Sequence, residues 1–196
     1  MRGHKTNLFR SILLFSGAIL VASALVMLIF WQWSIHTSAE ASVEYVDTLR
    51  RLVPEPQGAV PEARRDNTMP VLAVEGTDFV GILEMPRFGS ALPVGADWGK
   101  TSRYPCWFSG SVYDRSLQIG ATSQKGQYEF YREINLGDVL YFTDMTGNRY
   151  TYTVTDIRYA SHADQAALSQ EEAALTLFIK NVYGFDYILI FCDVAG

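Results

Sequence analysis

Cysteine and histidine are scarce in this chain. Cys106 and Cys192 are the only cysteines, and His4, His36 and His162 the only histidines. Two cysteines cannot complete a tetrahedral zinc site by themselves. Charged residues make up only 19% of the chain against 48% hydrophobic ones. Repeats and low-complexity tracts are absent too, which excludes a solenoid or a disordered array. Charge is missing altogether between Ser11 and Trp33.

That last absence organises the N-terminal part. The run ILLFSGAILVASALVMLIFWQW is long enough to cross a hydrocarbon layer of about 30 Å, and Trp31 and Trp33 stand where indole rings favour the interface. Arg2, Lys5 and Arg10 precede it with no acidic residue, so the N-terminus is expected in the cytoplasm and the remainder outside the cell. Cleavage of a signal peptide at Ala39-Glu40-Ala41 is the competing reading. The expected divisions are a basic N-terminus (1–10), a transmembrane helix (11–33), a juxtamembrane segment (34–70) and an extracellular domain (71–196). The lipid bilayer is thus the first expected partner.

Removing the three N-terminal cations from the 16 basic residues leaves 13 against 21 acidic ones, a net −8 on the exported part. Such a balance argues against nucleic acid as a partner. No cofactor and no metal are expected. An oxidising exterior would allow Cys106 and Cys192 to pair, closing a long loop worth about 4–5 kcal/mol in the chain-entropy model.

Within 34–70, Ser38–Leu52 places Val43, Val46, Leu49 and Leu52 at helical spacing and predicts a short amphipathic helix. Val53–Pro70 holds four prolines and five charges; it reads as a stalk or as a loop packed on the domain. Strand-like runs then follow at Val80–Met85, Ala91–Val94, Leu117–Ala121, Val139–Asp144, Arg149–Ile157, Thr176–Ile179 and Tyr187–Phe191, separated by glycine- and proline-bearing turns. Arg149–Ile157 alternates, with Tyr150, Tyr152 and Val154 on one face and Thr151, Thr153 and Thr155 on the other. Short helical pieces are predicted at Tyr128–Ile134 and Gln165–Ala174. Seven or eight short strands with few helices predict an all-β barrel or sandwich.

LTLFIKNVYGFDYILIFC (Leu175–Cys192) predicts two strands around a turn at Tyr183-Gly184, apolar at nearly every position and so buried on both faces. Lys180 is the exception at its centre.

GILEMPRFGSALPV (Gly81–Val94), YPCWFSGS (Tyr104–Ser111), INLGDVLYFTDMTGNRYTYTV (Ile134–Val154) and this last stretch, in this order, resemble the sortase family, the membrane-anchored cysteine transpeptidases of Gram-positive bacteria. The resemblance covers about Val80 to Cys192 and points to a class B- or D-like Firmicutes branch. It implies a mainly β fold, a closed eight-stranded barrel with catalytic groups in a groove on one side.

Sortase chemistry needs a cysteine thiolate to attack a threonyl–glycyl bond, a histidine to protonate the leaving amine and an arginine at the oxyanion. Carried over by motif, the histidine position falls on Thr122, the Thr-Cys pair on Ile179-Lys180 and the arginine on Tyr187, with Asp186 next to it. All three groups are absent, so the resemblance implies a degenerate member. His162 is expected in a solvent-facing loop, and Cys106 and Cys192 match cysteines that relatives carry outside the active site. The groove is then expected to be lined by Thr122, Ser123, Ile179, Lys180, Tyr183, Phe185 and Tyr187, with Lys180 able to pair with Asp186.

Three functions compete on this reading. A non-catalytic module would bind sorting-signal peptides, pilins or an intact sortase, and an active transpeptidase would require a different alignment. A hydrolase of the Thr/Ser–Lys type would use Thr122 or Ser123 with Lys180. An exported domain with no retained function is the remaining alternative.

The anchor reading has a direct check. The full-length chain should stay in the membrane pellet after alkaline carbonate extraction; recovery of a shortened form in the supernatant would show cleavage instead.

Overall fold

The computed structural model describes residues 3–58, 68–124, 126–160, 173–181 and 186–195, with side chains of the N-terminal helix described at 14–30, at 32 and from 42 onward. The chain divides into two compact units, Met1–Thr37 and Ser38–Gly196. Helix α1 runs over Gly3–Leu52. In the first unit, the large apolar side chains from Leu14 to Phe30 are exposed. Among the described residues, no helix is long and apolar enough to cross a membrane; the side chains described there stop short of the full uncharged run.

The second unit is mainly β. Its strands are β1 (Gln57–Gly58), β2 (Leu72–Val74), β3 (Thr77–Met85), β4 (Ser90–Gly95), β5 (Cys106–Ser109), β6 (Leu117–Thr122), β7 (Val139–Asp144), β8 (Asn148–Ala160), β9 (Leu175–Lys180) and β10 (Tyr187–Val194). Strands β3, β4, β5, β6, β9, β10, β8 and β7 pair in that order, and β7 returns to β3, so eight strands close into a barrel. Closure removes the unpaired edges that an open sheet would present. β1 and β2 add on outside the ring, against β8 and β3.

All seven predicted strands form, while β1, β2 and β5 escaped the sequence reading. Of the predicted helix Tyr128–Ile134, only a 3₁₀ turn at Tyr131–Glu133 forms. Most of Gln165–Ala174, and the turn at Tyr183-Gly184, lie outside the described residues.

The barrel interior is filled from both sheet directions. Tyr150, Tyr152 and Val154 of β8 point inward as the alternation requires, joined by Leu83, Val94, Ile119, Phe142, Leu177, Ile179, Ile190 and Cys192. A bulge opposite Phe191 and Cys192 then shifts β8 by one residue: Val154 pairs with Cys192 but Asp156 with Phe191. The shift leaves Thr155 out of the ladder, its hydroxyl donating to the Phe191 carbonyl at 3.2 Å, and brings Ile157 back against the core.

A second cluster lies where the end of α1 packs on the barrel wall, with Val46, Leu49, Val53, Phe79, Ile82, Tyr104 and Cys106. The buried stripe is Ser42, Val46, Leu49 and Val53. The expected face of Val43, Val46, Leu49 and Leu52 is corrected, since Val43 is 62% and Leu52 58% exposed. The reason is helical drift: at about 100° per residue, positions nine apart point in opposite directions, whereas steps of four, three and four stay on one side. Beyond the helix, Gln57 donates to the Gly147 carbonyl at 2.8 Å and β1 pairs parallel with β8. Through Gly58 the linker is therefore packed on the domain, and Met69 is buried in the barrel core. The second compact unit spans Ser38–Gly196.

The β7–β8 turn depends on Asp144, which is fully buried. Its carboxylate accepts from the Thr146 and Asn148 amides, the Thr146 hydroxyl, the Asn148 side-chain amide and the Tyr150 hydroxyl. An anion taken out of water is tolerable only with this many donors.

The disulfide that an oxidising exterior would allow is not present. Cys106 and Cys192 are both free and buried. Cys106 sits in the helix-facing cluster and Cys192 in the barrel interior, so each thiol is enclosed by a different set of apolar neighbours. Burial pushes the Cys106 thiol from near 9 up to about 12 and the Tyr104 phenol from near 10 up to about 12. It drives Cys192 and Tyr128 upward as well.

Two outcomes follow. Asp144→Ala leaves several turn donors buried without an acceptor and should lower stability by about 3 kcal/mol or more, read by thermal or denaturant melts. Groups with raised values contribute stability that is complete below about pH 9 and lost as the pH climbs toward 12. Unfolding monitored across that window should show the loss, with native thiols unreactive to a disulfide reagent at neutral pH and two thiols appearing on unfolding.

Candidate functional site

β6 and β9 run parallel, and β9 and β10 antiparallel. Register partners on neighbouring strands share a face, so the ladder reads as rows. One row is Ala121, Ile179 and Ile188, which points into the barrel. The next and last row is Thr122, Lys180 and Tyr187, which points out. Three positions far apart in sequence, one on each of three strands, are thus immediate neighbours. Lys180 is exposed, while Thr122 and Tyr187 are half-buried.

The local backbone fixes this row. The Ser123 amide donates to the Lys180 carbonyl at 3.0 Å, extending the parallel ladder by one bond. The Thr122 amide donates to Gln127 Oε1 at 2.8 Å, and Gln127 Nε2 donates to the Thr101 carbonyl at 3.1 Å. On the β9–β10 side, the Asn181 amide donates to the Asp186 carbonyl at 3.1 Å and Asn181 Nδ2 to Asp186 Oδ1 at 3.0 Å. Thr122 Oγ1 is buried and has no hydrogen-bond partner among the described residues.

The row behind it on the outer face is Gly120, Phe178 and Leu189. Here Trp98 covers the sheet: a Cβ on Gly120 would lie 2.4 Å from its ring and 2.5 Å from Phe178. Trp98, Phe108 and Phe178 form a mutual aromatic cluster with ring centroids 4.9, 5.1 and 5.3 Å apart. Asp97 caps the Trp98 turn through the Gly99 amide at 2.9 Å. Further along the face, the Arg158 guanidinium lies 5.1 Å from the Phe191 ring centre and pairs with Asp156.

Several expectations change. Ile179 is fully buried in the barrel core and lines no groove, because alternation along β9 sends it opposite to Lys180. Ser123 is buried too. The Lys180–Asp186 pair does not occur among the described residues, since the Asp186 carboxylate is held by Asn181. Tyr183, Phe185 and His162 lie outside the described residues. Trp98, Phe108, Phe178 and Gln127 were missed. A lone glycine inside a strand was the available signal, since Gly120 marks a place where something approaches the backbone closely.

Nothing here resembles a metal centre: no cluster of three or more His, Cys, Asp or Glu occurs among the described residues. A small cleft of about 40 Å³ lies at the helix–barrel seam, where Glu84 bridges Arg50 (2.7 Å) and Arg149, and none of the row residues lines it.

Gly120→Ala should force Trp98 and Phe178 apart, costing about 1–3 kcal/mol. The change should appear in melts and in near-ultraviolet circular dichroism, while Gly58→Ala, where the added Cβ meets no neighbour within 4 Å, should leave the aromatic signal in place.

No protein-family model matches the chain, and no curated protein matches its sequence. Its fold is similar to solved structures. The sortase D5 transpeptidase of Clostridium perfringens aligns at 13% identity over 60% of this chain and 79% of its own, with a TM-score of 0.51. Sortase C1 of Streptococcus agalactiae aligns at 19% identity over 63% and 71%, with a TM-score of 0.52. Sortase A of Corynebacterium diphtheriae aligns at 14% identity over 83% and 84%, also at 0.52. The eight-stranded closed barrel of this chain is a sortase fold.

Proposed function

We propose that this chain is a membrane-anchored, extracellular sortase homologue of the Gram-positive cell surface that has lost catalysis and binds peptides or partner proteins in surface-protein anchoring or assembly. The observation that carries the reading is the end row. The positions matched by motif to the sortase histidine, cysteine and arginine are Thr122, Lys180 and Tyr187, and they are consecutive register partners on β6, β9 and β10.

Loss of chemistry follows from the side chains. Without a thiolate no thioester forms, and catalytic groups that act as a unit are not partly replaceable. Cys106 and Cys192 cannot substitute, because both are buried in separate clusters and held protonated by burial. The Thr/Ser–Lys alternative is disfavoured by the burial of Thr122 Oγ1 and Ser123, which leaves no exposed hydroxyl to attack an acyl group. What the outer face retains is a binding surface of aromatic and polar groups.

The uncharged run from Ser11 to Trp33 supports anchoring, as does the exposure of every large apolar side chain from Leu14 to Phe30. The basic residues before it support a cytoplasmic N-terminus.

The full-length protein should leave a threonyl–glycyl sorting-signal peptide uncut in mass-spectrometric assays while binding it, or a co-expressed sortase or pilin, at micromolar concentration. The triple variant Thr122→His, Lys180→Cys, Tyr187→Arg should restore measurable cleavage; Ile179 is left alone because it belongs to the core. A folded triple variant with no cleavage would count against the assigned positions, and cleavage by the unaltered chain would overturn the loss of catalysis.

A further inference from the structure

The end row carries a cation that no carboxylate among the described residues holds. Arg50, Arg87, Arg149 and Arg158 each hold a carboxylate. Lys180, by contrast, is exposed and takes part in no ion pair among the described residues. Among the described residues the cation has no ionic partner, on a part of the chain whose composition gives a net −8. Beside it on β6, Thr122 is half-buried and its Oγ1 is enclosed. Two residues back along β6, over Gly120 on the same face, stands Trp98 with 42% of its surface exposed.

Neighbours in a row lie about 4.8 Å apart and alternate residues along a strand about 6.5–7 Å. A cation and an aromatic plate thus fall within the reach of one terminal residue of an extended chain. β6 and β9 both end at this row and β10 begins there, so the strand-built floor stops where the charge stands. A ligand lying along the outer face meets Lys180 at its end rather than in its middle.

We infer that the end row binds the free C-terminus of a peptide. Lys180 Nζ pairs with the terminal carboxylate, and the terminal apolar side chain lies on Trp98. This assignment rests on the peptide-binding reading above and narrows it to one chemical class, a carboxylate joined to an apolar group.

The test uses the full-length chain in detergent micelles and fluorescence anisotropy with three fluorescein-labelled peptides. These are Gly-Ser-Gly-Ala-Leu as the free acid, the same sequence as the C-terminal amide, and Gly-Ser-Glu-Ala-Leu as the amide. The free acid should bind at least about tenfold more tightly than either amide, as a charge-assisted contact implies. Lys180→Met should abolish that preference and Lys180→Arg should keep it. Equal affinity for acid and amide, or a preference that survives Lys180→Met, would overturn the inference while leaving the peptide-binding reading in place. Equal affinity of the glutamate-bearing amide and the free acid would assign the site to side-chain carboxylates and overturn the C-terminal assignment. If none of the three binds, and sorting-signal peptides do, the inference alone fails; if those are not bound either, both readings fail.

Discussion

The ladder joining β6, β9 and β10 is the constraint on which the rest of this protein depends. β9 is paired on both edges and buried on both faces, toward the barrel interior through Leu175, Leu177 and Ile179 and toward the outer aromatic cluster through Phe178. A strand so enclosed admits a charge only where the enclosure stops. Lys180 occupies that last position, and the parallel register with β6 and antiparallel register with β10 place Thr122 and Tyr187 on either side of it. Fold and site are consequences of the same hydrogen-bond pattern.

Enclosure of the outer face comes from a different source. Gly120 leaves room for Trp98 to sit directly on the sheet, and Phe108 and Phe178 complete the packing. Gln127 links the strand end at Thr122 to Thr101, just beyond the Trp98 turn, through two side-chain hydrogen bonds. The polar row and the aromatic plate are thereby held in fixed relation, which limits the ordering entropy that a ligand would have to meet. On the other side of the barrel, the end of α1, the Arg50–Glu84–Arg149 bridge and β1 hold the segment before Gly58 against the wall. That segment belongs to the folded unit rather than to a free stalk.

Much of the fold was legible because its signals are local. Alternation in Arg149–Val154 and the doubly apolar runs of β9 and β10 mark strands whatever their partners, and all seven predicted strands are present. The misses share a cause: β1 and β2 are short and β5 sits in an irregular segment, so pairing creates them more than propensity does. The α1 face was misjudged because a spacing of three residues looks helical over one turn and rotates away over three. Cys106 and Cys192 invited a disulfide that only the position of each in its own cluster ruled out.

The sequence by itself determined a mainly β domain behind an uncharged apolar run, and it showed that no cysteine, histidine and arginine stand at the motif-matched positions. These are properties of residue identity and spacing, which need no partner strand to be read. The tertiary structure alone decided that Thr122, Lys180 and Tyr187 adjoin, that Ile179 turns inward, and that Trp98 stands on Gly120 beside them. Register between distant strands is set by the closure of the whole barrel, and no local stretch of sequence carries that information.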